Sequence, residues 1–375
     1  MRRIVKILSL AIAVFLFISI SEIFLFRSDK ADDLRIEGFR LEERNSLDVV
    51  FLGSSEIFTA FSPPYAWQLQ KITSYPYGVS AGPVTYWITM LEDILSRQDP
   101  QLIVVETNGA VYDAESLHGN APLHYILDYM PVNTNKLQAL DSLVTEETDG
   151  KEAFLFPIIK YHSCWNDPDT LRSNFNNIRD QRLRGHTMLR GIWVSNSIAA
   201  PDAPPRDLKE DNSKLPLDEE AERALREFLE YCRIKKLPVL FTCFPHQVTK
   251  EDDRIYRNFQ KTNTIEEIVE EYGFPYLNME LLVQKIGLDP AYDYYNEGHL
   301  NIYGQRKFTE FFSQYLVEEC GVTPGNHTQA QKESWDESAE YYSRLIHYME
   351  DSESKNSSRG ETHWLINTLE QMRDS

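Results

Sequence analysis

The chain has 375 residues, 42% of them hydrophobic and 12% aromatic, which is enough for one large or two ordinary domains with a packed core. Its formal net charge of −20 argues against nucleic-acid binding, because proteins that bind nucleic acids carry basic patches. The same charge argues against docking on an anionic membrane surface through electrostatics alone.

Residues 1–30 predict a signal anchor that spans the membrane once. The stretch 4–26 is apolar apart from Lys6 and Glu22, and it is longer than the roughly 20 residues that span a bilayer as a helix. A cleaved signal peptide is the alternative, but bulky residues stand where a small-residue cleavage site would follow. Because basic residues near such a segment stay in the cytoplasm, we expect the rest of the chain to lie outside it.

A charged linker, 31–46, leads into a domain at 47–320 in which strands and helices alternate. Strands are predicted at 47–53, 74–80, 101–107, 237–244 and 274–279. Helices are predicted at 84–94, 217–236, 263–272 and 301–320. This alternation predicts an α/β fold, in which a parallel five-stranded sheet lies between two helical layers in a three-layer sandwich.

Two segments fall outside this pattern. An insertion, 110–215, separates the third and fourth strands and ends in a Pro-rich stretch that is typical of an exposed loop. After the last predicted helix, residues 321–375 form a polar C-terminal tail with sparse aromatic residues, and the segment SESKNSSRGE within it is typical of disorder.

Cysteine and histidine spacing gives no sign of a metal site. The four cysteines show no CxxC pair, and the nine histidines show no HxH, HxxxH or HExxH spacing. We therefore expect no metal and no cofactor. The cysteines are expected to be buried thiols, with one disulfide bridge permitted outside the cytoplasm; they are Cys164, Cys232, Cys243 and Cys320.

Small and polar residues follow the predicted strands, at the edge where open parallel sheets bind ligands. GSSE follows the first strand and contains Ser55, GVSAG follows the second and contains Gly82, Asn108 follows the third, and His246 follows the fourth. A serine on the first turn of a helix lies beside free amides and the positive end of the helix dipole, which favour a developing oxyanion.

A possible base for this serine lies near the end of the domain, in DYYNEGHLN. His299 precedes a predicted helix and follows Asp293 and Asn296. A serine becomes nucleophilic when a base accepts its proton, and a third group must hold the imidazole in the right tautomer. Ser55 and His299 are therefore the predicted nucleophile and base, with an orienting residue a few positions before the histidine.

FLGSSE together with DYYNEGHLN resembles the SGNH/GDSL hydrolase superfamily, and within it the membrane-anchored extracytoplasmic branch of DltD-like and alginate O-acetylation-type proteins. The resemblance covers roughly 45–320 without most of the insertion. It implies an SGNH/flavodoxin-like fold with Ser55 as nucleophile and His299 as base. It also implies an oxyanion hole from the Ser55 amide, Gly82 (or Ala81) and Asn108.

The acidic member of the triad is where this sequence departs from the family. Asn296 stands three residues before His299, where the family has Asp, and an amide carries no charge to stabilise an imidazolium. Three alternatives stay open: Asp293 orients the histidine, the protein works as a Ser–His dyad, or the catalytic function is weakened or lost.

The insertion contains FLFPIIKYHSCW at 154–165, which resembles stretches in relatives of this branch. His162, flanked by Tyr161 and Trp165, is a candidate sugar contact because aromatic faces stack on carbohydrate rings. His246 is a further candidate for substrate binding. The alternative is that His162 and Trp165 pack the insertion onto the core.

These observations predict an extracytoplasmic serine esterase or O-acyltransferase, held in the cell membrane by one N-terminal helix. The expected substrates are acyl esters, acetyl above all, of a cell-surface polysaccharide or another envelope polymer. The resemblance implies a membrane-bound O-acyltransferase as partner. The alternative is a catalytically weak SGNH-fold protein that recruits glycan or such an acyltransferase; a solute-binding domain and a membrane metalloenzyme are disfavoured.

Overall fold

The computed structural model describes residues 2–25, 31–146, 148–162, 165–177, 181–250 and 253–355. Its core is a parallel sheet of five strands, and a separate antiparallel pair of short strands lies near the end of the domain. The strands of the sheet are β1 Val49–Gly53, β2 Ser74–Gly78, β3 Leu102–Glu106, β4 Val239–Cys243 and β5 Tyr276–Asn278, and the pair is β6 Tyr294–Asn296 and β7 His299–Leu300.

The sheet has the strand order β2-β1-β3-β4-β5, with every neighbouring pair parallel. The predicted α/β fold with a five-stranded parallel sheet is thereby confirmed. This order reverses between β1 and β3, and ligands of such sheets bind beyond the carboxyl ends of the strands at that point. The loops after β1 and β3 are therefore the expected place for a site.

Alternate residues of each strand face opposite helical layers, which explains why the strands are apolar throughout. One face of β1 packs Val50 and Leu52 into a core cluster with Leu225 of a covering helix. The opposite face packs Val49 and Phe51 into a second cluster. The helices are α1 Arg2–Leu25, α2 Ala31–Leu41, α3 Ser55–Ala60, α4 Pro63–Gln70, α5 Trp87–Leu95, α6 Asn120–Leu127, α7 Thr134–Leu143, α8 Lys151–Leu155, α9 Pro157–Lys160, α10 Pro168–Asn177, α11 Glu219–Lys235, α12 Asp253–Glu271, α13 Val283–Ile286, α14 Ile302–Glu318 and α15 Gln329–Lys355.

The predicted membrane-spanning helix within 1–30 is not confirmed. Helix α1 covers most of that segment, and residues 26–30 lie outside the described part of the chain. Searched over the described residues alone, the structure contains no helix with the length and apolarity that crossing a bilayer requires.

The predicted linker at 31–46 is a packed part of the domain. Helix α2 lies against β2 and buries Ile36 and Phe39 completely. Arg35 is also buried, and its Nε donates to the carbonyl oxygen of Gly191 at 2.7 Å while its guanidinium lies over the ring of Phe58. The charged composition concealed this helix because its buried residues include an arginine.

The predicted polar tail contains a long helix that packs on the domain. Helix α15 lies against α4, and it buries apolar residues spaced three or four positions apart, as an amphipathic helix does. These residues are Trp335, Ala339, Tyr342, Leu345, Ile346 and Met349. Arg190 also ties the helix to the domain, because it pairs with buried Glu42 at 2.8 Å and donates to the carbonyl oxygen of Ser334. Most of the segment predicted to be disordered lies outside the described residues.

The described residues of the insertion 110–215 form helices α6 to α10, none of them longer than 10 residues. Of the cysteines, Cys232 and Cys243 are buried free thiols and Cys320 is a partly buried free thiol. None of these three described cysteines forms a disulfide bridge, and Cys164 lies outside the described residues.

Candidate active site

The turn between β1 and α3 places Ser55 at the start of a helix. Ser54 precedes the helix with an extended backbone, and α3 begins at Ser55 itself. Gly53 is needed in this turn, because a Cβ at its position would lie 2.8 Å from the Cβ and a carboxylate oxygen of Glu106. The close approach of β1 and β3 therefore fixes where the Ser55 side chain emerges.

Ser55 and His299 lie together although 244 residues separate them in the chain. The Ser55 Oγ and the His299 Nε2 are 2.6 Å apart. His299 belongs to β7, and the following Asn301 caps helix α14 by accepting hydrogen bonds from the amides of Tyr303 and Gly304. The structure therefore brings the predicted nucleophile and base within hydrogen-bond distance.

Asn296 contacts the second ring nitrogen of His299. Its Oδ1 accepts hydrogen bonds from the His299 Nδ1 and from the backbone amide of Gly298, both at 2.9 Å. Because a backbone amide only donates, it fixes the oxygen of Asn296, rather than its NH₂ group, toward the histidine. The His299 proton then lies on Nδ1, which leaves the Nε2 lone pair free to accept the Ser55 hydroxyl proton.

Asp293 does not occupy the orienting position considered for it. It is fully buried, and its Oδ2 accepts hydrogen bonds from the Lys307 Nζ and the Asp289 amide, both at 2.6 Å. These contacts tie the turn before β6 to helix α14. The structure therefore assigns the orienting contact to Asn296, and Asp293 has a structural place beside it.

His299 is held in its neutral form. Burial and the nearby charge of His246 lower the pKa of His299 to about 4. Its ring also stacks on Tyr295, with centroids 5.3 Å apart. A neutral imidazole at physiological pH is the form that a general base requires.

The three predicted oxyanion residues have different surroundings, and the Asn108 side chain forms a hydrogen bond with Glu56. The Ser55 amide lies in the first turn of α3, where helix amides lack intrahelical partners. The Gly82 amide, however, donates to the carbonyl oxygen of Val79 at 3.1 Å. The backbone amide of Asn108 donates to Glu106. The Ser55 amide is thus the predicted donor with the clearest position, since Gly82 and the Asn108 backbone already have acceptors.

Glu106 is a site residue that sequence reasoning missed. It is fully buried at the end of β3, and its Oε2 accepts from the Ser54 amide at 3.0 Å and the Ser54 hydroxyl at 2.8 Å. Burial, with the charge of Glu56, raises the pKa of Glu106 to about 8. The sequence did contain a signal for this residue, because a glutamate at the end of a buried apolar strand needs buried hydrogen-bond partners.

His246 is held between two glutamates in a mostly buried cluster, at the wall of a cavity of about 370 Å³. Its Nε2 contacts the Glu56 carboxylate at 2.8 Å, its Nδ1 contacts Glu280, and its amide donates to Glu280 at 3.0 Å. The three side chains are each less than 10% exposed. The predicted substrate-binding role of His246 is therefore not supported, because both ring nitrogens already have carboxylate partners.

The two other predicted substrate contacts lie in the insertion. His162 and Trp165 form an edge-on pair with ring centroids 6.5 Å apart, and the Trp165 side chain is 39% exposed. Tyr161 donates to a carboxylate oxygen of Asp128. Trp165 is therefore partly accessible to a ligand. Across the described part of the chain, no group of three or more His, Cys, Asp or Glu residues is placed to hold a metal ion.

Comparisons with known proteins add little to this geometry. No protein-family model matches the chain, and no curated protein matches it. A solved structure of a protein described as a GDSL-like lipase from Parabacteroides merdae is similar over 76% of this chain and 99% of that chain, with 13% sequence identity and a TM-score of 0.34. At this TM-score the likeness establishes neither a shared fold nor a shared activity.

Proposed function

We propose that the protein is an SGNH-like serine esterase or O-acyltransferase. The observation that carries this proposal is the chain of contacts Ser55–His299–Asn296, with 2.6 Å between Ser55 Oγ and His299 Nε2. Its placement at the carboxyl ends of β1 and of the strands beside it, at the point where the strand order reverses, is where such sheets bind ligands. The SGNH-type pattern of the sequence around Ser55 and His299 supports the same assignment.

The reaction begins when the Ser55 hydroxyl attacks the carbonyl carbon of an ester. His299 accepts the hydroxyl proton on Nε2, and the oxygen that gains negative charge lies near the Ser55 amide at the start of α3. The imidazolium then protonates the departing alkoxide as the tetrahedral intermediate collapses to an acyl-enzyme. In the second half, His299 removes a proton from water or a sugar hydroxyl, which attacks the acyl carbonyl. The imidazolium then returns the proton to the Ser55 Oγ as its bond to the acyl group breaks.

Asn296 makes this triad weaker than one with a carboxylate but keeps its geometry. Replacement of the acid by Asn costs about 10⁴-fold in a known triad, where the imidazole is held in the wrong tautomer. Here the Gly298 amide directs the Asn296 oxygen to His299, so the tautomer is the productive one. The remaining cost is the missing negative charge beside the imidazolium.

The substrate that we propose is an acyl ester, acetyl above all, of a cell-surface polysaccharide or another envelope polymer. The exposed Trp165 beside His162 is the proposed sugar contact. The apolar sequence at 4–26 and the family resemblance support a location outside the cytoplasm at the cell membrane, with a membrane-bound O-acyltransferase as partner.

A second candidate function is a catalytically weak protein that recruits glycan or an acyltransferase. The uncharged Asn296 favours it, because no carboxylate stabilises the imidazolium of His299. A fluorophosphonate probe separates the two candidates. Rapid labelling at Ser55 supports the enzyme, and a folded chain that stays unlabelled supports the binding role.

Turnover of a short-chain nitrophenyl ester tests the proposed chemistry. We expect the full chain to hydrolyse it and Ser55→Ala and His299→Ala to lose at least about 10³-fold of the activity above background. Ser343→Ala and His347→Ala are matched controls, since both side chains lie on α15, away from the site, and His347 is 91% exposed. Activity that survives in the two site variants would contradict the proposal.

A further inference from the structure

We propose that Glu56, His246 and Glu280 form a buried charged unit that positions the nucleophile helix and the His299 loop and keeps His299 in its basic form. His246 would act as a permanent imidazolium between two carboxylates. It would be a positioning residue and would not touch the substrate. The inference deepens the proposed ester chemistry and rests on it for its catalytic meaning.

The geometry of this unit is that of a paired charge rather than a packed neutral histidine. Each ring nitrogen of His246 lies against a carboxylate oxygen, of Glu56 on one side and Glu280 on the other. A neutral imidazole has one N–H and would leave one carboxylate facing a nitrogen lone pair. The doubly protonated ring donates to both carboxylates, whereas a neutral ring would need a protonated carboxyl to donate to its second nitrogen, and burial raises the pKa of Glu56. We assign the cation because the two carboxylates together raise the pKa of His246 well above 6.5.

The unit also joins three segments that build the site. Glu56 follows Ser55 in helix α3, His246 lies in the loop after β4, and Glu280 lies in the 3₁₀ helix after β5. The loop after β4 reaches the His299 loop directly, because the Gln247 amide donates to the carbonyl oxygen of Glu297 at 2.9 Å. A change in His246 would therefore move both partners of the Ser55–His299 contact.

His246 lies close enough to His299 for its charge to matter. A Cβ placed at Gly298 would lie 3.7 Å from the His246 Cδ2 and 3.8 Å from the Asn296 Oδ1. Gly298, the residue directly before His299, therefore lies against the His246 ring. The carboxylates raise the pKa of His246 well above 6.5, and the resulting cation contributes to the low pKa of His299.

Other titratable groups face this unit from the neighbouring elements. Glu106 of β3 interacts with Glu56, and its pKa is raised to about 8. Cys243 at the end of β4 and Tyr294 of β6 interact with Glu280, and burial with that charge raises the pKa of both. Both are then neutral at pH 7, and Glu106 is largely protonated. The charges that act on His299 at neutral pH thus come mainly from the unit itself.

The cavity on the far side of the unit carries charges of its own. Arg206 and Lys209 line it together with His246 and Glu280, over a volume of about 370 Å³. Lys209 donates to Gln284, and Arg206 lies over the ring of Tyr256. These cations have partners outside the unit, so they do not replace the charge of His246.

Nitrogen-15 NMR of the histidine rings tests the proposal without any need for turnover. The full chain is labelled with ¹⁵N-histidine and titrated from pH 4 to pH 9, with assignments from His246→Gln and His299→Gln. We expect the His246 ring to stay doubly protonated well above pH 6.5 while His299 stays neutral down to about pH 5. A His246 ring that loses a proton near 6.5 would overturn the proposal in the wild-type chain alone.

Two variants separate an electrostatic role from a merely structural one. His246→Gln removes the cation, so the His299 midpoint should rise by about 1 pH unit. Glu280→Gln removes one carboxylate and leaves the cation paired with Glu56, so the midpoint should stay or fall. A His299 midpoint that rises in both variants, or that does not change in His246→Gln, would contradict the electrostatic role and show that the unit only packs.

Ester hydrolysis measured on the same samples keeps this inference apart from the proposed function. The acid limb of kcat/KM should follow the NMR midpoint of His299 in each variant. If the His299 midpoint rises in His246→Gln but not in Glu280→Gln, and the wild-type chain shows no turnover, the result would contradict the esterase and support the charged unit. If the wild type, His246→Gln and Glu280→Gln all turn over the ester with the same acid limb of kcat/KM, the result would contradict the charged unit and support the esterase.

Discussion

His299 and His246 lie in neighbouring loops, and their surroundings shift their pKa values in opposite directions. His299 contacts a hydroxyl and a carboxamide, and its pKa falls to about 4. His246 contacts two carboxylates, and its pKa rises well above 6.5. Burial opposes the charge of both rings, so the charge of the partners decides which ring carries a proton.

The difference gives each histidine a distinct use. A neutral ring with a free lone pair accepts a proton, as His299 must when Ser55 attacks. A charged ring with two acceptors has no lone pair to offer, and it binds its surroundings together instead. The choice of Asn rather than Asp at position 296 is what keeps the two rings different, because a carboxylate there would give His299 a partner like those of His246.

Removal of the Asn296 contact should have the largest effect. In Asn296→Leu the His299 Nδ1–H loses its acceptor, the ring is free to adopt the other tautomer, and kcat should fall by about 10²- to 10⁴-fold. Steady-state hydrolysis of a nitrophenyl ester measures it, with circular dichroism to confirm folding. A folded variant with unchanged kcat would show that the protein works as a Ser55–His299 dyad.

Asn296→Asp should make His299 resemble His246, because it gives the ring a carboxylate partner. Both donors that face the Asn296 oxygen, the His299 Nδ1 and the Gly298 amide, would suit a carboxylate equally well. The added charge should raise the pKa of His299, move the acid limb of kcat/KM to higher pH and increase the plateau about tenfold. A plateau that falls while the acid limb rises would mean that the neutral orienting residue is itself required.

The two rings should also give opposite slopes of stability with pH. His299 has a folded pKa of about 4 and an unfolded pKa near 6.5. The unfolded chain therefore takes up the proton first, and the free energy of unfolding should fall by roughly 3 kcal/mol as the pH falls from 6.5 to 4. For His246 the raised pKa gives a contribution that is complete below pH 6.5 and is lost as the pH rises through the folded value.

Urea unfolding at pH 7 and pH 4 measures the acidic slope. In His299→Gln the fall in unfolding free energy between these two values should be smaller than in the wild-type chain. His347→Gln is the matched control, because that ring is exposed and its loss should leave the slope as it is. Equal slopes in the wild type and His299→Gln would contradict the low pKa of His299.

Much of the fold could be predicted from local pattern, because apolar runs with polar ends give a parallel sheet wherever helices alternate with them. The pattern did not reveal α2 and α15. Helix α2 buries Arg35, and helix α15 is held by a hydrogen bond from Arg190 to the Ser334 carbonyl oxygen. Charged composition indicated a linker and a tail there. Burial of an arginine depends on distant carbonyl and carboxylate partners, and local sequence does not contain them.

The site divides in the same way. Ser55 and His299 could be predicted because strand ends of a parallel sheet converge. The orienting role of Asn296 rather than Asp293 depends on the Gly298 amide and on Lys307, contacts made only after the β6–β7 turn forms. His246 and Glu106 were misjudged or missed because their partners, Glu56 and Ser54, come from another strand end.

The smallest effect on ester turnover is expected at Glu106, a buried carboxyl that accepts hydrogen bonds from Ser54 and the Asn108 amide. Its folded pKa of about 8 exceeds its unfolded value near 4.5, so the folded chain keeps the proton longer and the free energy of unfolding should decrease as the pH rises from 4.5 to 8. Glu106→Gln removes this dependence and loses about one of the hydrogen bonds to Ser54 and the Asn108 amide, at about 1 kcal/mol.

The Glu106→Gln variant should therefore be less stable than the wild type at pH 5 and should match or exceed it at pH 9, with ester turnover changed less than about tenfold. Urea unfolding at the two pH values measures this crossover. A constant deficit at both would mean that Glu106 is ionised in the folded chain. That result would place a negative charge behind Ser55, beside Glu56, and would raise rather than lower the pKa of His299.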